Sequence, residues 1–144
     1  MKTKNHKIKF ALFVGAFFLM SNFFLAQSDL LKLLPGSRKA NYYENNDLLK
    51  LEGNVHFEYQ GNTMYCDSAY YFEKRRLVYA YGKVHIIRDK INMFCDSAFF
   101  NGKAERAKLW GNVRFRDLDY RLTTDSLEYI SLSGRAIYRN YGTI

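Results

Sequence analysis

Gly82-Lys83-Val84 is the middle copy of a pattern that returns at one fixed interval on either side of it. The neighbouring copies are Gly53-Asn54-Val55 and Gly111-Asn112-Val113. Repeats at intervals of this kind are typical of a supersecondary unit stacked on copies of itself, since one unit alone cannot bury its apolar face. Function is therefore expected in a continuous surface that the stack builds.

A second landmark follows the same interval. It reads Cys66-Asp67-Ser68-Ala69, then Cys95-Asp96-Ser97-Ala98, then Thr124-Asp125-Ser126-Leu127. Two independent landmarks in one register indicate that whole units repeat, and not single motifs.

The repeat extends beyond these three copies. A degenerate half-copy, Ser37–Glu52, precedes them in register and carries Arg38 where the others carry Asp. At the far end the next glycine, Gly142, comes slightly later than the interval requires, which predicts a two-residue insertion in the turn-like stretch Ser131–Gly134. The sequence stops at Ile144, where a new strand is expected, so either the last strand is a sheet edge or this is the front of a longer protein.

Residues 1–26 have the layout of a secretory signal peptide. A lysine-rich start is followed by the apolar run Phe10–Met20 and then by Ser21–Ala26. Cleavage is predicted after Ala26; the alternative is an uncleaved anchor, since Phe10–Leu25 approaches the roughly 20 apolar residues that a spanning helix needs. No cysteine directly follows the apolar run, so a lipoprotein anchor is not expected. We assign residues 27–36 to a linker and residues 37–144 to one β-repeat domain.

The charge balance is a weak signal. The sequence has 22 Lys and Arg against 14 Asp and Glu, a formal net charge of +8, and four of the lysines lie in the predicted signal peptide. The remaining basic residues are scattered singly along the predicted strands, which argues against nucleic-acid binding. A phosphorylated glycolipid would suit such a surface, and so would plain solvation.

Hydrophobic alternation predicts an all-β domain. In Val55-His56-Phe57-Glu58-Tyr59 every second side chain is apolar, which is the period of a strand. In the third copy Leu127 and Tyr129 alternate with polar residues and are assigned to the inner face. By register the same assignment is made for Ala69, Tyr71, Ala98 and Phe100. The second strand of each unit is predicted at Thr63–Phe72, Ile91–Phe100 and Tyr120–Ile130.

Short polar breaks separate these strands and suit hairpin turns. They are Gln60-Gly61-Asn62, Arg88-Asp89-Lys90, Asn101-Gly102 and Leu118-Asp119. Each unit is therefore two strands joined tightly, and the whole is an antiparallel meander of repeated hairpins. The repeated glycine falls inside a strand, where glycine commonly marks a bend or bulge. Such bends in register would crease the sheet into a V-shaped or half-rolled form with an apolar inner face.

Cys66 and Cys95 are the only cysteines, and export would permit a disulfide. In a meander they lie on alternate strands, two strand spacings or ~10 Å apart. A disulfide needs Cα atoms within about 7 Å, so two free packed thiols are expected. In a solenoid with one strand per turn they would be neighbours, and a bond would contradict the meander.

Three aspartates at equivalent positions, Asp67, Asp96 and Asp125, could in principle supply oxygen ligands for a cation such as calcium. Single aspartates on alternate strands would not converge on one ion, so we expect a structural polar role and no metal site. His56 and His85 are register partners whose third equivalent is an arginine, which favours a solvated face over metal binding.

Other catalytic patterns are missing from the sequence. No serine–histidine–carboxylate or cysteine–histidine arrangement stands out, and there is no glycine-rich phosphate loop. We therefore expect neither an enzyme nor a cofactor.

The chain resembles the OstA/LptA-type periplasmic lipopolysaccharide-transport family. The residues that carry the resemblance are Leu51-Glu52-Gly53-Asn54-Val55, Leu109-Trp110-Gly111-Asn112-Val113 and Thr124-Asp125-Ser126-Leu127-Glu128-Tyr129. The Cys-Asp-Ser-Ala segments are similar to the OstA-like branch of Bacteroidetes-type bacteria. The resemblance covers roughly Ser37–Ile144 and implies a β-jellyroll, lipid A chains between its walls, and head-to-tail contact with neighbouring transport components. The chain is shorter than expected for that branch, so its domain is either complete or truncated at the C-terminus.

The first functional hypothesis is a non-enzymatic periplasmic lipid-binding protein of lipopolysaccharide transport and outer-membrane assembly, either free in the periplasm or associated with the outer membrane. Its apolar crease would shield acyl chains, since burial is worth about 25 cal/mol per Å². The aromatic residues would either line a slot or simply fill a core. The predicted lipid-binding residues are Val55, Phe57, Tyr71, Val84, Ile86, Phe100, Val113, Phe115, Leu127 and Tyr129.

The second hypothesis is a periplasmic interaction module that binds no lipid. Unpaired edges near Asn41–Leu51 and Ala136–Ile144 would extend the sheet into another β-jellyroll component by strand addition.

Overall fold

The structure is a computed structural model that describes residues 30–139. The predicted signal peptide and the stretch from Asn140 to the end therefore lie outside the described residues. Within residues 30–139, nine strands form one antiparallel sheet. They are β1 Lys32–Leu33, β2 Lys39–Tyr43, β3 Leu48–Tyr59, β4 Asn62–Phe72, β5 Leu77–Arg88, β6 Ile91–Asn101, β7 Arg106–Arg116, β8 Arg121–Ile130 and β9 Arg135–Arg139.

The strands follow one another through the sheet as a meander. The order is β1-β3-β4-β5-β6-β7-β8-β9, and β2 also pairs with β3. The two short first strands share one neighbour: β1 pairs with the end of β3 and β2 with its start. Pro35 and Gly36 lie between them, where a ladder hydrogen bond is not needed. The predicted all-β meander is confirmed, and β1 falls inside the segment assigned to a linker.

Each long strand is creased at its repeated glycine. The ladder shifts register between Glu52 and Val55, and equivalent shifts occur in the later copies. Gly53, Gly82 and Gly111 have φ of 74°, 76° and 77°, values that favour glycine. The predicted bends are therefore confirmed in all three full copies.

The crease divides the sheet into two wings. The front wing comprises residues 55–65, 84–94 and 113–123, with β1 at its side. The back wing comprises residues 39–52, 68–81, 97–110 and 126–139. The strands are long enough, at 10 to 12 residues from β3 to β8, to contribute to both wings. The wings face each other and enclose the core, so the sheet folds over without closing into a barrel.

The back-wing turns repeat at the same interval as the glycines. Each contains a residue in the left-handed region: Asp47, Arg76, Glu105 and Gly134, with φ between 48° and 61°. A short 3-10 turn precedes the first and the last of them. Within residues 30–139 there is no helix of the length and hydropathy that a membrane span needs.

The last unit keeps the common spacing. Tyr129 pairs with Ala136 just as Phe100 pairs with Ala107 one copy earlier. The predicted two-residue insertion in Ser131–Gly134 is therefore wrong, because the turn there closes with the same number of residues as the others. Continued beyond Gly111, the interval leads to Asn140 and not to Gly142, and both lie outside the described residues.

Candidate functional site

The space between the wings is the candidate site, and it is densely packed. All ten predicted lining residues point into it and are between 0 and 8% exposed. Of the two interpretations of the aromatic content, a filled core holds for the described part of the chain. The inward orientation of these side chains follows the alternation along each strand.

Aromatic contacts join the two wings. Tyr59 of the front wing meets Tyr71 and Phe100 of the back wing, with ring centroids 5.5 Å apart in each pair. At the other end of the core the Phe115 and Tyr129 centroids are 6.1 Å apart. A Cβ added to Gly102 would meet the Tyr59 ring, so this turn lies against the opposite wing. These contacts hold the wings together.

Sequence reasoning missed part of the interior. The period-two alternation that placed Phe57 and Ile86 also marks their cross-strand partners Met64 and Met93. The signal was present, but apolar residues on both faces of the first two copies obscured it. The inward assignment of Ala69 and Ala98 and the packed state of Cys66 and Cys95 were predicted, and all four residues are buried. The missed core residues are Leu51, Tyr59, Met64, Val78, Ala80, Met93, Ala107, Leu109 and Leu122.

The apolar inner face continues to both ends of the sheet, where it becomes exposed. Tyr138 on β9 pairs with buried Leu127 and so lies on the inner face, yet it is 40% exposed. Tyr42 on β2 pairs with Leu49 on that face and is 53% exposed. In the described part of the chain no further strand covers either end.

The edge strands differ in part from the prediction. The predicted edge at Asn41–Leu51 includes residues 48–51 of β3, which pair with β2 on one side and β4 on the other. The outer strand at that end is β2, because the half-copy adds one more strand before β3. At the other end β9 is the last described strand, and residues 140–144 of the predicted edge at Ala136–Ile144 lie outside the described residues.

Cys66 and Cys95 are free and buried, as predicted. They lie on β4 and β6, with β5 between them, so the geometric argument against a disulfide holds. Burial raises the pKa of both thiols to about 12. They are therefore protonated core residues and are not nucleophiles at neutral pH.

The aspartate positions have a structural role. The Asp96 carboxylate lies over Gly111 and accepts a 2.8 Å hydrogen bond from the Asn112 side chain. Asp67 lies over Gly82 in the same way. Among residues 30–139 no group of three or more His, Cys, Asp or Glu side chains could hold a metal ion. The Asp67 and Asp96 side chains each contact a glycine of the crease and do not approach one another.

The histidines form part of a stack on the outer face of the front wing. His56 stacks on Tyr65, and His85 stacks on Phe94, each with centroids 4.1 Å apart. His85 also shares a 3.0 Å hydrogen bond with Asn92. This face is therefore packed more closely than the predicted solvated surface.

Comparison with solved structures supports the fold. The structure superposes on the crystal structure of LptH from Pseudomonas aeruginosa, described as the LptA-homologous periplasmic component of a conserved lipopolysaccharide transport device, with a TM-score of 0.72. The match covers 80% of this chain and 85% of LptH at 7% sequence identity, so the likeness is one of fold. The predicted jellyroll is thereby confirmed.

Sequence comparison gives the family. No curated protein sequence matches the chain significantly. The family model described as OstA-like protein, however, matches residues 24–144, which includes every copy of the repeat and both wings. With its creased nine-stranded sheet and its in-register Gly-Asn-Val motifs, the chain belongs to the OstA-like family.

Proposed function

We propose that this chain is a non-enzymatic periplasmic protein that binds lipid during lipopolysaccharide transport and outer-membrane assembly. Its family and its likeness to LptH, a periplasmic component of a lipopolysaccharide transport device, support the compartment and the pathway. The lipid A part of lipopolysaccharide is the proposed ligand, and other β-jellyroll components are the proposed partners. Nucleic acid is not among them.

The observation that carries the proposal is the continuity of the inner face. Apolar side chains run from β3 to β8 between the wings and reach the surface at Tyr42 and Tyr138. An acyl chain entering at either end would meet mainly apolar walls, with Thr124 as a buried polar residue among them.

The packed interior is compatible with this role. Separating two apolar walls in water costs about 25 cal/mol for each Å² exposed. An acyl chain that fills the gap removes the same area from water. The free-energy change on replacing contacts between the two walls by contacts with lipid is therefore close to zero. The wings are joined covalently only at the crease and elsewhere by side-chain contacts. An acyl chain would therefore enter when the wings move apart about the crease as a hinge.

The test uses two adjacent residues on opposite faces of β9. Tyr138 is on the inner face at 40% exposure, and Ile137 is on the outer face at 37%. Tyr138→Glu places a charge at the mouth of the interior, whereas Ile137→Glu adds the same charge outside. Neither residue is in the core, so both variants should fold.

The proteins are purified from a lipopolysaccharide-producing host and examined by native mass spectrometry, with lipid extraction of the same samples. We expect lipid A species on the wild type and on Ile137→Glu, and at least a tenfold lower occupancy on Tyr138→Glu. A wild-type protein that carries no lipid and cannot be loaded with added glycolipid would exclude the proposal. Phe115→Glu is unsuitable, because Phe115 is only 8% exposed and a buried charge would unfold the core.

An interaction module without lipid is the second candidate. It is favoured by the strands β2 and β9, each of which has a neighbour on one side only among the described residues. Such edges are templates for strand addition and would give head-to-tail oligomers. Tyr138→Pro removes a backbone N–H from β9 and should reduce partner binding. A protein that binds partners through β9 but never holds lipid would favour this candidate.

A further inference from the structure

The three full copies provide an internal comparison at the tips of the front wing. In each copy the last outward residue before the turn pairs with the first outward residue after it. The pairs are Glu58 with Thr63, Ile87 with Asn92, and Arg116 with Arg121. Because the backbone of the three tips is equivalent up to the turn, the fold itself does not require two arginines in the third.

Two cations facing each other across a strand pair are unfavourable unless an anion joins them. Glu58 at the equivalent position of the first copy is matched by Lys32, 3.3 Å away. Arg116 and Arg121 are both exposed, and neither forms an ion pair within residues 30–139. The chain thus maintains a local repulsion that costs stability.

A third arginine extends this cluster along the same face. Arg114 replaces the histidine of the earlier copies, and its guanidinium lies 5.1 Å from the centre of the Phe94 ring. A groove of about 230 Å³ beside it also contains Lys83. The acid in that groove, Asp96, accepts a hydrogen bond from Asn112. Together the groove and the tip carry four cationic side chains and three carboxylates, so their net charge is positive by one.

The turn between the arginines is also unlike its counterparts. The first two tips turn at Gln60-Gly61 and Asp89-Lys90, whereas the third uses residues 117–120. Its Leu118 and Tyr120 are 70% and 64% exposed. The two aspartates of this turn equal Arg116 and Arg121 in number, but they form no ion pair with them within residues 30–139, and Asp117 accepts a 2.6 Å hydrogen bond from the backbone N–H of Leu118.

We propose that the β7–β8 tip, comprising Arg114, Arg116, residues 117–120 and Arg121, binds the phosphate headgroups of an anionic lipid surface. Arginine offers a planar set of donors that fits two phosphate oxygens at once, and a phosphate between Arg116 and Arg121 would remove their repulsion. Leu118 and Tyr120 extend past these arginines, where an apolar and an amphipathic side chain enter the headgroup region of a bilayer. A soluble phosphate would use the arginines and leave these two side chains in water, which is why a lipid surface fits the tip better.

This site lies on the outer face of the front wing and does not depend on lipid between the wings. The double variant Arg116→Gln/Arg121→Asn removes the paired charges, and asparagine at the second position already occurs in the second copy as Asn92. The matched control is Lys103→Gln/Lys108→Gln, which removes two charges from the back wing. Leu118→Ser tests the apolar contribution.

The experiment uses the chain without its predicted signal peptide. It measures binding to vesicles of phosphatidylglycerol and phosphatidylcholine, and to vesicles of phosphatidylcholine alone. We expect binding to the anionic vesicles that falls roughly thirtyfold in the arginine variant, at about fivefold per arginine, and is unchanged in the lysine control. Leu118→Ser should weaken it severalfold. Thermal unfolding without lipid should show the arginine variant at least as stable as the wild type, because its repulsion is gone.

Three outcomes would overturn the proposal. One is an equal loss of binding to anionic vesicles in the arginine and lysine variants, since binding would then depend on net charge alone. Another is pyrophosphate binding as tight as vesicle binding, unaffected by Leu118→Ser, which would identify a soluble phosphate as the ligand. The third is no binding to anionic vesicles at low salt, where this attraction is strongest.

Discussion

The carboxylate of Asp96 lies directly against Gly111, so closely that a Cβ on the glycine would sit 2.5 Å from one of its oxygens. The Asn112 side chain then holds that same oxygen by a 2.8 Å hydrogen bond. Glycine, asparagine and aspartate from the two repeated motifs thus meet at one point of the crease. This contact explains why both motifs recur with the same spacing.

The contact predicts unequal costs for the same substitution at two creases. Gly111→Ala and Gly53→Ala face nearly equal backbone strain, since their φ values are 77° and 74°. At Gly53 the added Cβ meets the flexible Arg38 side chain at 2.9 Å, whereas at Gly111 it meets the fixed Asp96 carboxylate. We expect Gly53→Ala to lower the free energy of unfolding by about 1–2 kcal/mol and Gly111→Ala by about 2–4 kcal/mol. Urea denaturation of both variants measures the difference, and equal losses would show that strain alone decides.

The meander could be predicted from sequence because its determinants are local. Alternation around Phe57 and Leu127 set the faces, and the glycines set the crease. The predicted second strands agree with β4, β6 and β8 to within one residue at each end. Each of these signals is contained in a single strand and its flanking turns, so no long-range information was needed.

What could not be predicted depends on how distant strands meet. The contact of Tyr59 with Phe100 joins β3 to β6, which are not sheet neighbours, and it determines that the interior is filled. The position of Gly142 was misleading because glycine is also frequent in ordinary loops. Arg116 and Arg121 looked scattered in the sequence, and only the register of β7 with β8 brings them face to face.

The two buried thiols predict a pH dependence of stability. Burial raises their pKa in the folded protein to about 12 from an ordinary value of 9.0, so the folded state holds these protons more tightly than the unfolded state. Their contribution to the free energy of unfolding is complete below pH 9 and is lost as the pH rises toward 12.

We therefore expect the free energy of unfolding of the wild type to fall between pH 8 and pH 10 by roughly 1 kcal/mol per thiol more than that of Cys66→Ala/Cys95→Ala. Tyrosines and lysines titrate in both proteins, so the double variant corrects for them. Denaturant unfolding at the two pH values gives the comparison. Parallel losses in the two proteins would mean that the thiols ionise without unfolding.

The back-wing turns predict opposite effects for one substitution at two equivalent positions. Asp47 and Glu105 occupy the same place in the repeat, with φ of 51° and 48°, and in the fourth turn the residue is Gly134. Glycine should relieve the backbone strain at both. The turns differ in their side chains, because the Asp47 carboxylate accepts a 2.5 Å hydrogen bond from the backbone N–H of Lys74.

No hydrogen bond or ion pair involves the Glu105 side chain within residues 30–139, and the bond from the Ser131 N–H to its carbonyl oxygen survives substitution. We expect Glu105→Gly to raise the free energy of unfolding by about 0.5 kcal/mol, strain relief exceeding the added chain entropy. Asp47→Gly should lower it by about 1–2 kcal/mol, since the partly buried hydrogen bond between the charged carboxylate and the Lys74 N–H is worth more than the strain. Thermal and urea unfolding of both variants distinguish the effect of backbone strain from that of the Asp47 hydrogen bond. A gain at both positions would mean that the Asp47 carboxylate contributes nothing, and a loss at both would mean that the left-handed turn costs these residues no strain.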